Sequence, residues 1–209
     1  LPISIIIIFQ PEFRRALEQL GRKRIISSLF DSNESNAGKK IDKKVMNEIT
    51  KATYAMAEVK TGALIVLEQE VRLGDYERTG IGIDAEITSQ LLINIFEHNT
   101  PLHDGAVLIR NNRVLSATCY LPLSDNLDIN KAYGTRHRAA LGISEVSDSI
   151  TIVVSEETGS VSIAHNGVLY RGLTKEEFVD KIEELSKNEP IARKIKWWKG
   201  RGNNEKSNL

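Results

Sequence analysis

Asp104 stands beside a glycine turn in Leu102-His103-Asp104-Gly105-Ala106, and about thirty residues on comes a dense cationic cluster, Gly134-Thr135-Arg136-His137-Arg138-Ala139-Ala140. This pairing is what nucleotide phosphate chemistry asks for. Transfer of a phosphate-bearing group to a hydroxyl needs the hydroxyl deprotonated or polarised, the phosphate oxygens neutralised, and the leaving group stabilised. Asp104 is the candidate for the first task, and Gly105 lets a ligand approach the backbone because it has no side chain. An isolated Asp-Gly-Ala is ordinary turn vocabulary; the combination with the cationic cluster gives it weight.

Thr135 is expected to cap a helix starting at Arg136, so that its hydroxyl and the free backbone donors form a phosphate seat. Arg136 and Arg138 lie two apart and cannot share a helix face. One is therefore expected to reach the nucleotide while the other orders a carboxylate or spans a dimer interface, and His137 is a candidate packing residue. Ser155, Glu156 and Glu157 close a buried strand and precede Thr158-Gly159. Adjacent carboxylates there are either a solvated turn or oxygen ligands for a divalent ion such as Mg²⁺ or Mn²⁺; Glu157 is assigned to the metal with Glu156 as second candidate, and Ser155 to phosphate. His103 is either a further metal ligand or an imidazole hydrogen-bonded to a loop. Tyr120 ends a strand in Cys119-Tyr120-Leu121-Pro122-Leu123-Ser124, where Pro122 stops the ladder; its ring either packs in the core or stacks on a base, with Leu121 backbone groups reading the base edge. No Gly-x-x-x-x-Gly-Lys-Ser/Thr loop occurs, Gly80-Ile81-Gly82 is too short for a dinucleotide fold, and His103-Asp104 precedes a strand rather than joining the helical ligand set of a His-Asp phosphohydrolase.

The elements that must position these residues are legible from periodicity. Ile41, Val45, Ile49, Ala52 and Met56 recur at helical spacing to about Glu58, and 63–67 is apolar throughout, as in a strand buried on both faces. A short apolar helix over 87–96, capped by Thr88 or Ser89, delivers the chain to Asp104. Strands 106–109 and 114–120 meet across Asn111-Asn112, a loop covers 125–133, and a helix 136–146. Strands come next at 150–154, 161–164 and 168–170, the last two joined by Asn166-Gly167. Thr174 and Glu177 form a capping box for a final helix through Phe178, Ile182 and Leu185. Strand blocks separated by helices predict a three-layer α/β domain, a central mixed sheet flanked by helices, over 41–186.

The 209 residues hold one sizeable domain, and the single cysteine, Cys119, excludes a disulfide framework and a thiolate metal site. The zero net charge hides an asymmetry: residues 10–30 carry five Lys/Arg and two Asp/Glu, residues 187–209 seven and two, and 31–186 sixteen and twenty-four. An acidic body argues against a nucleic-acid polymer as partner and leaves open a small anion held by a local cluster. Residues 1–9, Leu1-Pro2-Ile3-Ser4-Ile5-Ile6-Ile7-Ile8-Phe9, are too few to cross a bilayer. They read as the cut end of a transmembrane helix, with a buried first strand as the alternative. The basic amphipathic helix over 10–30 favours the membrane reading and puts the α/β domain on the cytoplasmic side. A polar linker covers 31–40. The basic, Trp197-Trp198-bearing tail over 187–209 suits either a solvated end or an anionic membrane surface.

The four motifs taken together, Asp104-Gly105-Ala106, 119–124, 134–140 and 155–159, closely resemble the diadenylate cyclase domain, from about Lys60 to Arg171, and the flanks resemble the membrane-anchored type rather than the soluble DNA-scanning type. The resemblance implies an enzyme that condenses two ATP into cyclic di-AMP and two pyrophosphates, with Mn²⁺ or Mg²⁺, or Co²⁺, as cofactor. By that resemblance Asp104 activates the 3′-hydroxyl and contacts the metal with His103 and Glu157. Arg136 and Arg138 assist catalysis. ATP is held by Gly105, Ala106, Tyr120, Leu121, Thr135, Arg136, His137, Arg138, Ser155 and Glu156, with Tyr120 stacked on the adenine. The implied partners are ATP, cyclic di-AMP, a second copy in a face-to-face homodimer or higher oligomer, the cell membrane, and a membrane regulatory protein. A non-catalytic adenine-nucleotide sensor is the alternative function, to which the hydroxyl-activating carboxylate would be superfluous.

Overall fold

A computed structural model describes residues 41–125 and 133–187 of the chain. The elements run α1 (Lys43–Glu58), β1 (Ala63–Leu67), α2 (Gly74–Glu77), β2 (Ile81–Glu86), α3 (Ser89–Phe96), β3 (Ala106–Arg110), β4 (Arg113–Cys119), α4 (Thr135–Val146), β5 (Ile150–Val154), β6 (Val161–His165), β7 (Val168–Arg171) and α5 (Lys175–Lys187). The strands form one sheet in the order β2-β4-β3-β1-β5-β6-β7. β1 and β3 are parallel and every other pair is antiparallel, so the sheet is mixed.

Two apolar layers cover the two faces. α1 buries Val45, Ile49, Ala52 and Met56, the residues its periodicity singles out, and with Phe96 of α3 and Phe178 and Ile182 of α5 it packs on one face against Ile65, Val107 and Ile152. Ala139, Ala140 and Ile143 of α4 cover the other, against Leu64, Val66, Leu108 and Val153. The alternation of β1 between these sets is why all five of its residues are buried. Helix–sheet–helix layering is thus the three-layer α/β domain expected from the strand and helix order.

Local signals behave as their chemistry predicts. Thr88 caps α3, its side chain accepting from the Leu91 N–H. Thr174 and Glu177 form the reciprocal capping box of α5, with Glu177 Oε2 accepting from Thr174 N at 2.9 Å. Asn111 and Asn112 (φ 51° and 63°) and Asn166-Gly167 (φ 50° and 73°) make the two hairpin turns in left-handed conformation. α2 and β2 have no counterpart in the periodicity. β2 is an edge strand with exposed and half-buried residues only, and its register with β4 shifts between Gly82 and Ala85. The expectations for 1–9, 10–30, 31–40, most of the loop over 125–133, and the tail beyond Lys187 lie outside the described residues. Among the described residues no helix is long and apolar enough to cross a membrane.

Candidate active site

Strand register collects the motifs at one end of the sheet. Ala63 pairs with Val154, Ile65 with Val107, Ala106 with Cys119, Val154 with Val161 and Ser162 with Arg171. The starts of β1, β3 and β6 and the ends of β4, β5 and β7 therefore share one rim. That rim carries Gly62, Asp104-Gly105, Tyr120, Ser155 and Arg171. Gly105 and Ser155 are two strand spacings apart, about 10 Å, the span of a nucleotide's ribose and phosphates.

Asp104 is exposed at the mouth of β3 and makes no hydrogen bond or ion pair among the described residues, so its carboxylate oxygens are free. The backbone around it is tightly built. Gly105 has φ 116°, and a Cβ there would lie 2.8 Å from the Thr118 carbonyl carbon; no other residue satisfies both constraints. Thr118 itself sits at φ 60° inside β4, where the β3–β4 register shifts between Ala106 and Leu108. A β-branched residue in that region is strained by about 1–3 kcal/mol, and its hydroxyl donates to Leu102 O at 3.2 Å. The bulge thus fixes the turn that presents Asp104. His103 takes the loop-bound alternative at one nitrogen: Nδ1 donates to Thr100 O at 2.6 Å, which leaves Nε2 with no hydrogen bond among the described residues.

α4 begins differently from its expected form. Gly134, extended at φ −66° and ψ 171°, occupies the N-cap; Thr135 is the first helical residue and its side chain caps nothing. With no capping side chain, the Thr135 and Arg136 amides are left to a ligand, while those of His137 and Arg138 donate to Gly134 O. Arg136 pairs with Glu156 at 2.5 Å, and both pack over Gly62, where a Cβ would fall 2.7 Å from Arg136 Nη1 and 3.0 Å from Glu156 Oε2. Arg138 faces elsewhere and donates to Ser124 O at 3.4 Å. His137 is buried, only 8% exposed, and stacks on Tyr133 with ring centroids 5.3 Å apart. Burial holds its imidazole below the ordinary value, with Glu157 opposing the shift. A cavity of about 520 Å³ opens here, lined by Tyr133, Thr135, Arg136, His137, Ser155 to Thr158, Ser162 and Arg171.

Tyr120 is 65% exposed, so it is not a core residue. Its backbone N–H donates to Thr79 Oγ1 at 2.9 Å, and the Thr79 hydroxyl donates to Tyr76 O at 2.6 Å. The α2 turn that supplies Thr79 is fastened by Arg110, which bridges Glu68 (2.5 Å) and Glu77 (2.8 Å). Behind Tyr120, Gly80 presses on Cys119: a Cβ on that glycine would lie 2.5 Å from the Cys119 sulfur. Ser124 Oγ donates to Glu145 at 2.6 Å, docking the segment after Tyr120 along α4.

Several expected site residues require correction. Ala106 is fully buried in the core and presents no side-chain surface to a ligand. Arg138 is not among the residues lining the cavity. His103, Asp104 and Glu157 do not converge, since among the described residues no three His, Cys, Asp or Glu side chains are grouped to hold a metal ion. Asp104 precedes β3 and Glu157 follows β5, and β1 lies between those two strands. Gly62, Thr79, Tyr133, Ser162 and Arg171 are site-forming residues that the sequence reading missed. Gly62 alone left a trace, as a glycine directly before a wholly apolar strand.

Residues 50–169 match the family described as DAC, DisA bacterial checkpoint controller nucleotide-binding. The chain belongs to this diadenylate cyclase family, as the fold and the rim motifs imply. It is 52% identical over 203 residues, 96% of its length, to the cyclic di-AMP synthase CdaA of Bacillus subtilis (strain 168), of which it spans 72%. A diadenylate cyclase of Listeria monocytogenes serotype 1/2a (strain 10403S) is 53% identical over 178 residues, 84% of this chain and 62% of that protein. Among solved structures, a double mutant of DacA from Staphylococcus aureus superposes with a TM-score of 0.68 at 48% identity, over 69% of this chain and 97% of that one. A hypothetical membrane spanning protein from Bacillus cereus gives a TM-score of 0.60 at 38% identity, over 81% and 80% of the respective chains.

Proposed function

We propose that this chain condenses two ATP into cyclic di-AMP and two pyrophosphates, the activity for which its relatives from Bacillus subtilis and Listeria monocytogenes are named. The observation that carries the reading is the line of Asp104, the α4 N-terminus with Arg136, and Ser155 along one rim of the sheet. Asp104 takes the proton of one ribose 3′-hydroxyl; the oxygen bonds to the α-phosphorus of the other ATP; the bond from that phosphorus to the β-bridging oxygen breaks, and its electron pair leaves on pyrophosphate. A second, identical event closes the ring. Arg136, the free amides at Thr135 and Arg136, and Ser155 neutralise the phosphate oxygens. The exposed Tyr120 ring stacks on adenine.

A divalent metal fits the donor set. Asp104 and Glu157, apart within one chain, each offer a carboxylate that makes no hydrogen bond or ion pair among the described residues, a hard oxygen ligand of the kind Mg²⁺ or Mn²⁺ takes together with substrate phosphates. Bound there, the ion would supply positive charge at the reacting phosphate. His103, its ring fixed by Thr100, is a second-rank ligand through Nε2. Because one chain carries one Asp104 and one Arg136, a two-fold pair of chains supplies the second nucleotide and matches the symmetry of the product. The relative named as membrane spanning and the apolar 1–9 segment support attachment to the cell membrane with this domain on the cytoplasmic side, where a membrane protein could regulate it.

The test is incubation with ATP and Mn²⁺ followed by chromatography and mass spectrometry for cyclic di-AMP, in parallel with Asp104→Asn. The parent should form the product. The variant should fold, bind ATP, and turn over about 10² to 10⁴-fold more slowly, the usual worth of a general base. A parent that binds ATP without forming product would leave the sensor reading in its place. A variant within a few-fold of the parent would remove Asp104 from the chemistry.

A further inference from the structure

The cavity beside α4 extends past the expected phosphate-binding residues to β6 and β7, and among the described residues the polar side chains there make no hydrogen bond or ion pair. Seven arginines fall among the described residues. Arg72, Arg78, Arg110, Arg113 and Arg136 each pair with a carboxylate, and Arg138 donates to a carbonyl. Arg171 has neither. Its guanidinium sits 5.2 Å over the Tyr133 ring, which in turn stacks on His137. A stacked guanidinium keeps its in-plane N–H donors available for an anion.

Two buried polar side chains line the same cavity unpartnered. Ser162 is 1% exposed and His137 8%, and neither side chain makes a hydrogen bond among the described residues. Neither side chain's polar atoms are sealed from solvent, so both open onto the cavity and are available to a ligand there. Opposite them stand the uncapped α4 amides and Arg136. Of the two carboxylates that share the lining, Glu156 is paired with Arg136 and the charge of Glu157 reaches His137.

We infer that Arg171, with Ser162 and the Tyr133 ring that holds it, forms a subsite for the terminal phosphates of the nucleotide and for the pyrophosphate it becomes. The inference rests on the ATP-condensing reading. It adds to that reading a residue from β7 whose role is tied to the leaving group and not to the adenosine. Guanidinium and hydroxyl donors at this end match the charge that grows on the departing β- and γ-phosphates. The stacking on Tyr133 positions Arg171 without neutralising it, whereas Arg136 shares its charge with Glu156.

The subsite predicts a separation between ligands that carry the terminal phosphates and one that does not. The 209-residue chain is titrated calorimetrically with 3′-deoxy-ATP, which cannot form the new bond, with pyrophosphate, and with cyclic di-AMP, in the parent and in Arg171→Gln, Arg171→Lys and Ser162→Ala. Arg171→Gln should weaken 3′-deoxy-ATP and pyrophosphate about tenfold, the lower range for loss of a charge-assisted hydrogen bond because Arg171 is partly solvated. Its affinity for cyclic di-AMP should stay within about twofold, and Arg171→Lys should recover most of the loss. Ser162→Ala should show the same selectivity at smaller size, which keeps the test alive if the glutamine variant does not fold. Equal losses for all three ligands, or no loss for any, would overturn the subsite. These titrations need no turnover, so a parent that binds but forms no cyclic di-AMP refutes the activity without touching this result.

Discussion

Gly62→Ala isolates how much the reaction depends on the placement of one guanidinium. The new Cβ would lie 2.7 Å from Arg136 Nη1, where ordinary contact begins at 3.4 Å, so Arg136 must retreat by the difference, 0.7 Å. It would also crowd Glu156 Oε2 at 3.0 Å, loosening the ion pair that now orients Arg136. Little stability is at stake. The pair is partly exposed, side chains 20% and 54%, and such pairs contribute about 0–1 kcal/mol. Replacing glycine where φ is not positive returns about 0.4–1 kcal/mol by restricting the unfolded chain. The two nearly cancel, and Tm should move by less than about 4 °C. Catalysis is more sensitive, since a misplacement near 1 Å costs about 10²-fold; a loss of about 10- to 100-fold in cyclic di-AMP formation is expected. The assay pairs initial rates of cyclic di-AMP formation with thermal unfolding of the same preparations. Rates within about threefold of the parent at unchanged Tm would show that Arg136 is not position-critical, against the premise drawn from intramolecular orientation. A Tm drop beyond about 10 °C would make Gly62 a folding residue.

Tyr120→Ala should weaken ATP binding by about 1–3 kcal/mol, the worth of stacking on a base, while altering turnover less, because stacking is present in ground and transition states alike; parent-like ATP affinity would send the adenine pocket elsewhere. Burial holds His137 below its ordinary 6.5, so below that value the unfolded chain binds more protons than the folded one. Stability is then complete above about pH 6.5 and is lost as pH falls from there through the folded value. Urea midpoints at neutral and mildly acidic pH should show this fall, and His137→Asn should flatten it; an equal fall in the variant would assign it to other groups. If two chains must face each other to react, cyclic di-AMP formed per chain should climb with enzyme concentration across the range where sedimentation shows monomer giving way to dimer, and a flat profile there would contradict a shared reaction centre.

Most of the fold was legible because its buried elements advertise themselves by period. α1 and α5 repeat at helical spacing, β1 is an unbroken apolar run and β5 one interrupted only by Thr151, and the turns at Asn111-Asn112 and Asn166-Gly167 name their own geometry. β2 escaped because an edge strand with a register shift buries too little to impose alternation. At the site, residues within contiguous motifs could be picked out, while those brought in by pairing could not. Arg171 reaches the rim only because β7 pairs with β6, and Thr79 meets Tyr120 only through the α2 turn. The Thr135 cap failed for a local reason: Gly134, with extended dihedrals, took the capping position one residue early. Within one chain the three proposed metal ligands stay apart for a topological one, since residues beside the ends of different strands are separated by the strand between them.

The contact between Gly80 and Cys119 makes the chain's single thiol a clock. The sulfur is sealed under the backbone where β2 begins, and burial raises its pKa above the usual thiol range, so a disulfide reagent finds almost no thiolate while the strand is in place. Modification must wait for β2 and the turn before it to lift from β4, and the same lifting breaks the Thr79 bond to the Tyr120 amide. The labelling rate of Cys119 therefore counts how often the support under Tyr120 comes apart. A nucleotide whose base lies on that ring should slow the count in proportion to its occupancy, giving a readout of binding that needs neither product nor a second chain.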